Sequence, residues 1–242
     1  MGREDESLIC QRQEVRYLLG DDYDPEIQIL LNNNGFSVEP HKNPITQTVY
    51  FASPALKTVS GGYIRTRRYI SKDQSAQDIF DLFPEGEWFL EVKLSTGEKE
   101  RIQRTHGEIE KLLKFGNRRV LAEQFLSAAQ FLYSFNDRLI PIVATQWFRE
   151  HFLSSQYQSR VTIDRNMTYY GFIPDQQRQG GALMGSRRGL KVEIKTPLGF
   201  DQELSVLRER LLGTLPIEFL PENWHEDMLR KLYSKFLLKS HD

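Results

Sequence analysis

Hydrophobic and polar positions alternate along most of this chain. Residues 9–19 (ICQRQEVRYLL) place Val15, Tyr17 and Leu19 on one side and Glu14 and Arg16 on the other, the two-residue period of a strand. DPEIQILLNNNG follows and predicts a helix over 24–33: Asp24 suits its cap, Pro25 its first turn and Gly35 its stop. Strands are predicted again at 46–52 (TQTVYFA) and at YIRTRRYI, which the Gly61–Gly62 turn sets off. EWFLEVKLS and EKERIQR form a hairpin around Ser95-Thr96-Gly97. The period then lengthens. Ile109, Leu112, Leu113, Leu121, Phe125, Ala128, Ala129 and Leu132 recur at helical spacing, predicting one or two helices in 107–136. Strands resume at LIPIVATQWFREHF, SRVTIDRNM and GLKVEIKT, the last two separated by a glycine-rich loop at 180–189 (GGALMGSRRG). The end reads as helical over 201–212 and 223–238, with Asn223 and Glu226 as a capping box.

One face of nearly every strand is charged. The faces carry Arg12, Glu14 and Arg16; Arg65 and Arg67; Glu91 and Lys93; Lys99 and Arg101; Trp147 and Arg149; Arg160, Thr162 and Asp164; and Lys191, Glu193 and Lys195. An antiparallel sheet with one wet face alternates in this way, its polar side chains only solubilising it. Against that plain reading stands the richness in arginine, whose planar fork suits bidentate phosphate contact. There is also an internal echo: LEVKLSTG (90–97) and VEIKTPLG (192–199) both read Glu-x-Lys-x-x-x-Gly. Both features point to a closed barrel with a charged interior and an apolar exterior under helices. Unpaired buried charge is costly, so such an interior needs water, a polyanion and a hard divalent cation such as Mg²⁺ or Mn²⁺, held by carboxylate oxygen.

Composition narrows this picture. The 242 residues contain no evident linker and no low-complexity segment, so a single domain over 1–242 is expected. Formal net charge is −1, so an anion site must arise from local segregation of charge. The single Cys10 leaves neither an internal disulfide nor a thiolate zinc cluster. No apolar run is long enough to span a membrane, and MGREDES lacks the apolar core of a signal peptide, so a soluble cytoplasmic protein is expected. The loop at 180–189 is no P-loop, because Gly-Lys-Ser/Thr is missing. Tyr63 and Tyr69 flank the arginines as aromatics do in RNA-binding strands, but no RNA-recognition signature accompanies them, and nucleic acid is not expected as a partner. His106 and His151 lack a partner at metal-ligand spacing and are read as structural or surface residues.

The ordered motifs resemble a known family. RQEVRY (12–17) is similar to the Arg-x-Glu-x-Lys-Tyr opening of VTC domains, the polyphosphate-polymerase domains of the vacuolar transporter chaperone complex and their bacterial relatives. VYFAS (49–53), YIRTRRY (63–69), FLEVK (89–93), WFREHF (147–152), RVTID (160–164), LKVEIK (190–195) and SKF (234–236) follow in the family's order, over nearly the whole chain. VTC domains belong with CYTH-type triphosphatases among the triphosphate tunnel metalloenzymes. The resemblance therefore implies an α+β fold: an eight-stranded antiparallel closed β-barrel, forming a triphosphate tunnel, with helices packed outside.

Carried over residue by residue, the resemblance implies that Arg65, Arg67, Lys93, Arg149, Arg160 and Lys235 bind the phosphate chain, joined on their charged faces by Arg12, Arg16, Lys99, Arg101 and Lys195. Arg65, Arg67, Lys93, Arg160 and Glu193 are the candidate catalytic set. Glu193 matches the metal-binding carboxylate, with Glu14 and Glu91 either assisting it or orienting Arg and Lys. Lys235, near Lys231 and Lys239, reads equally as part of a solvated basic face or as a lid lysine. Two departures stand out. Ala52 replaces a usual Asp, and Arg12 stands where hydrolytic CYTH enzymes have the first Glu of Glu-x-Glu-x-Lys, which argues against a simple triphosphatase. The implied activity is metal-dependent phosphoryl transfer on a triphosphate or polyphosphate, favouring polyphosphate synthesis from ATP. The alternatives are a triphosphate hydrolase of the same fold and a non-catalytic polyphosphate- or nucleotide-binding module. The implied cofactor is Mn²⁺ or Mg²⁺, and any membrane partner would be a separate chain.

Overall fold

The alternating stretches fold as strands. The structure, a computed structural model, describes residues 12–40, 43–52, 62–71, 87–94, 99–105, 107–108, 125, 140–154, 156, 158–172, 182–197, 199, 201–213, 215–216, 218–220 and 234. Eleven strands form: β1 (Arg12–Leu19), β2 (Ser37–Glu39), β3 (Ile45–Ala52), β4 (Gly62–Ile70), β5 (Glu87–Leu94), β6 (Lys99–Thr105), β7 (Ile140–Ser154), β8 (Ser159–Gly171), β9 (Ala182–Arg187), β10 (Leu190–Pro197) and β11 (Glu218–Leu220). The helices are α1 (Asp24–Asn33), preceded by a 3₁₀ turn at Asp21–Tyr23, and α2 (Asp201–Leu212). Two compact units divide the chain: 1–42, 148–166 and 187–225 form the first, and 43–147, 167–186 and 226–242 the second.

In the first unit the strand order is β11-β1-β10-β8-β7, with β2 also paired to β7. Tyr17 and Leu19 of β1, Val192 and Ile194 of β10, and Val161 and Ile163 of β8 share one face, as their antiparallel registers require. They pack with Ile27 and Leu31 of α1 and Leu207 of α2 into one buried apolar cluster. Each fully buried aliphatic side chain here contributes about 1.5–3 kcal/mol. α1 ends in a Schellman motif: the Phe36 N–H donates to Leu31 O (3.0 Å), the Gly35 N–H donates to Asn32 O (3.1 Å), and Gly35 takes φ +76°. Asp24 does not cap α1. The N-cap position falls to Tyr23, which makes no side-chain cap bond. The Asp24 carboxylate instead accepts from Arg165 (2.5 and 2.7 Å) and Gln28 (2.9 Å), and Arg165 also meets Glu150 at 2.7 Å. That chain of charge fastens the start of α1 to β7 and β8.

In the second unit β7 is followed by β3-β4-β5-β6, and β9 pairs with β8. Ile64, Leu90 and Val92 are buried on one face, and Phe125, expected on an apolar helix face, is fully buried. Residues 107–108 are helical, and Glu108 accepts from the N–H and hydroxyl of Thr105 (2.9 and 2.8 Å), the return half of a capping box. The rest of the helical region expected at 107–136 and of the helix at 223–238, and the hairpin turn at 95–97, lie outside the described residues.

Two expectations are corrected. Among the described residues the sheet has eleven strands, and no ladder joins its ends, β6 and β11, so it is not an eight-stranded closed barrel. Eight strands match the alternating stretches. The additions, β2, β9 and β11, are only three to six residues long, and β7 and β8 (15 and 13 residues) are long enough to take extra partners. The supposed loop at 180–189 contains β9, whose backbone pairs with β8 despite its glycine. What remains of the expected fold, among the described residues, is a predominantly antiparallel sheet with α1 and α2.

Candidate functional site

The charged strand faces are largely withdrawn from water, with Lys99 at the edge exposed. In the first unit, the register sets Glu14 beside Lys195 and Arg160, Arg16 beside Glu193 and Thr162, and Leu18 beside Lys191 and Asp164. The face opposite the apolar core is therefore a lattice of charge. Asp164, 1% exposed, accepts both arms of Arg149 (2.6 and 2.8 Å) and the Lys191 ammonium (2.9 Å). Burial alone would raise its pKa; Arg149 and Lys191 outweigh that and hold it at about 2. Glu193, also buried, meets Lys195 at 2.7 Å through Oε1, and Arg16 at 3.4 Å and Lys191 at 3.7 Å through Oε2. Against the cost of burial, Lys195, Lys191 and Arg149 hold its carboxyl well below the usual range. Glu14 pairs with Arg16 and, at 3.3 Å, with Lys195. His151 Nδ1 lies 3.3 Å from Thr162 Oγ1 on the same side.

In the second unit, Tyr50, Arg65, Glu91 and Arg101 form one cross-strand row, and Tyr63, Lys93 and Lys99 the next. Glu91 is fully buried. Its Oε2 accepts from Arg65 (2.6 Å), and its Oε1 meets Arg101 (2.6 Å) and Lys99 (2.9 Å). Burial opposes its ionisation, but Arg65, Arg67, Lys99 and Arg101 together hold it far below the usual carboxylate range. Lys99 is pulled down to about 8, by burial first and by Arg101 and Arg65, with Glu91 opposing. Aromatic rings lie against four of these cations. Arg65 lies 5.1 Å from the Tyr63 centroid, Arg101 4.6 Å from Phe89, Lys93 6.0 Å from Tyr63, and Arg67 5.9 Å from Trp147. Arg67 also donates to Thr48 at 3.2 Å. Five cations, Arg65, Arg67, Lys93, Lys99 and Arg101, thus face one described carboxylate. Among the described side chains of this face, positive charge is therefore in surplus.

Most expected site residues fall into these two sets. Arg16, Arg149, Arg160, Glu14, Glu193 and Lys195 share the first, and Arg65, Arg67, Lys93, Lys99, Arg101 and Glu91 the second. Arg12 begins β1, and Lys235 lies outside the described residues. Sequence reasoning passed over Asp164 and Lys191 as site residues, although both stood on the right face. It also set His151 aside. The signal was parity: each lies an even number of residues from a chosen neighbour on the same strand.

A divalent cation needs free oxygen donors. Among the described residues no three His, Cys, Asp or Glu side chains cluster as a metal site. Both Glu91 oxygens hold guanidinium or ammonium groups, and so do both Asp164 oxygens. Glu193 and Glu14 are ion-paired as well, to Lys195 and Arg16 and, for Glu193, Lys191, so a metal there would have to displace cations. The two carboxylates lie on adjacent strands beside one shared lysine, and a Mg²⁺-type ion takes only one or two carboxylates when phosphates supply the remaining ligands.

Comparison with known proteins gives one family: residues 11–197 match that described as VTC domain. No curated protein matches the sequence. Among solved structures, a candidate adenylate cyclase from Bacillus halodurans is 12% identical, covering 88% of this chain and 97% of that one at a TM-score of 0.49. A chain of the Schizosaccharomyces pombe Mediator head module is 9% identical over 86% and 99% at 0.45. A candidate adenylate cyclase from Vibrio parahaemolyticus is 15% identical over 84% and 84% at 0.42. Likeness at this level speaks to neither substrate nor reaction.

Proposed function

This chain belongs to the VTC domain family, and from that premise we propose that it is a metal-dependent phosphotransferase acting on a triphosphate or polyphosphate, with synthesis of polyphosphate from ATP as its reaction. The observation that carries the reading is the charge imbalance of the β4–β5–β6 face, where buried Arg65 and Arg67 join Lys93, Lys99 and Arg101 around Glu91. Buried positive charge in excess of its described counter-charge is costly; a chain of phosphates would supply further negative charge. Arginine forks and a lysine point charge suit phosphate oxygens.

Phosphoryl transfer asks the protein for positioning and charge neutralisation more than for covalent chemistry. Arg65, Arg67 and Lys93 bind phosphate oxygens, and Lys99 and Arg101 extend that surface. Glu91 holds Arg65, Lys99 and Arg101 in place. In the first unit Arg16, Arg149, Arg160 and Lys195 supply further cations and Asp164 orients Arg149; Arg12, and Lys235 outside the described residues, complete the proposed binding set. Glu193, with Glu14, is the donor set for Mg²⁺ or Mn²⁺. A bound ion there would supply neutralisation of charge on the leaving group. In the second unit, stabilisation of charge spreading over the transferred group falls to Arg65, Arg67 and Lys93.

The reading includes one functional domain over 1–242 and a cytoplasmic site of action, where ATP is available; a membrane partner, if one receives product, is a separate chain. Among the described residues no helix is long and apolar enough to cross a membrane. The test is phosphorus NMR of the purified protein with ATP and Mn²⁺ or Mg²⁺, with and without a short polyphosphate primer. Growth of the internal-phosphate signal, lost in Glu193→Ala, is expected. Orthophosphate alone means a hydrolase, and no turnover with tight triphosphate binding means a binding module.

A further inference from the structure

Lys195 bridges the two carboxylates that the proposed function assigns to a divalent cation. Its Nζ lies 2.7 Å from Glu193 Oε1 and 3.3 Å from Glu14 Oε2, so one ammonium touches both. Arg16 contacts the same two carboxylates from β1. The strands enforce this arrangement, because Glu14 pairs with Lys195 and Arg16 with Glu193 in the β1–β10 register. A magnesium-like ion requires such oxygens at roughly 2.0–2.1 Å. On those oxygens it competes with the ammonium, and the two positive charges repel. Glu193 is buried, and Lys195 and Glu14 keep only about a quarter of their exposure, so solvent screens that repulsion little.

We infer that Lys195 is an internal counter-cation that blocks divalent metal at Glu14 and Glu193 until phosphate arrives. A phosphate oxygen gives the ammonium another anionic partner. Lys195 then leaves the carboxylate pair, and the metal enters with the phosphate. Metal and phosphate each strengthen the other's binding by the same factor, as linkage requires. This deepens the proposed function by making Lys195 the residue that sets the metal's dependence on phosphate; its phosphate arm rests on that reading, and its metal arm does not.

The test measures Mn²⁺ binding to the full chain, by loss of the free-ion paramagnetic resonance signal and by calorimetry, without phosphate and then with tripolyphosphate. Wild type binds Mn²⁺ weakly alone and at least tenfold more tightly with tripolyphosphate. Lys195→Met binds Mn²⁺ alone at least tenfold more tightly than wild type and loses most of the coupling. Lys195→Arg, which keeps the charge, behaves as wild type. In Lys195→Met the gain disappears when Glu193→Gln is added. Lys191→Met, which removes an ammonium 2.9 Å from Asp164 and 3.7 Å from Glu193, gains less. Melting curves confirm that each variant is folded, and Lys195→Gln replaces Lys195→Met should the latter fail to fold. Tight phosphate-free Mn²⁺ binding by wild type overturns the inference. So does the lack of any gain in Lys195→Met, or an equal gain in Lys191→Met. Failure of tripolyphosphate to bind wild type overturns the proposed function instead, and the phosphate-free comparison still decides the role of Lys195.

Discussion

Replacing Glu91 by Gln removes the carboxylate that Arg65, Lys99 and Arg101 share, with almost no change in shape. Three cations are then left facing one another. Removing one partner of a fully buried ion pair costs about 3–5 kcal/mol. The Glu91 side chain is wholly buried and that of Arg65 is 11% exposed, but those of Arg101 and Lys99 keep 26% and 35%, so water screens part of the repulsion. About 3 kcal/mol is the expected loss. For a chain of this length each 1 kcal/mol moves Tm by roughly 2–4 °C, so a drop of about 6–12 °C is expected by circular dichroism. A phosphate chain supplies the missing negative charge. Saturating tripolyphosphate therefore raises the Tm of Glu91→Gln by more than it raises that of wild type. A variant that melts within about 2 °C of wild type, or that gains no more from tripolyphosphate than wild type does, refutes the reasoning that Glu91 holds together a face rich in positive charge.

Asp164, held at about 2 against an ordinary 3.8, contributes stability that is present above pH 4 and is lost as pH falls through 2. The shift corresponds to about 2 kcal/mol; denaturant melts from pH 7 to pH 2 should show Asp164→Asn flatter than wild type by that amount. Lys99, at about 8, is charged at pH 7 and largely neutral above pH 9. Calorimetric affinity for tripolyphosphate should fall several-fold across that interval in wild type and not in Lys99→Met. Gly189→Ala meets two obstacles, a φ of +104° and a Cβ that would lie 2.5 Å from Leu19 O. It should lose about 2 kcal/mol or more in urea unfolding.

Wherever one face was apolar and the other charged, the sequence made the strands legible. Val15, Tyr17 and Leu19 against Glu14 and Arg16 fix both the strand and its buried side, because a slip of one residue would reverse them. β2 and β11 are three residues each, too short for a period to register, and form because longer strands offer open edges. β9 was hidden by glycine-rich composition, which local reading treats as a turn although a neighbouring ladder can still order it. Parity placed Arg65, Arg67 and Glu91 on one face. It could not show that Glu91 gives both its oxygens to cations, since Lys99 and Arg101 arrive from another strand. Asp24 shows the same limit: its local sequence suits a cap, and a distant arginine, Arg165, takes it instead. The echoed Glu-x-Lys strands also differ in three dimensions. Lys195 pairs with Glu193, whereas Lys93 makes no ion pair among the described residues and lies over Tyr63.

That freedom makes Lys93 the cleanest probe of the central claim, that the basic face of β4, β5 and β6 is a phosphate-chain site. The measurement is calorimetric binding of tripolyphosphate to wild type and to Lys93→Met at two salt concentrations. The account predicts binding that weakens with salt in wild type, an affinity about tenfold lower in Lys93→Met, and unchanged Tm without ligand. Equal affinity in the two proteins, or no binding by either, would contradict it.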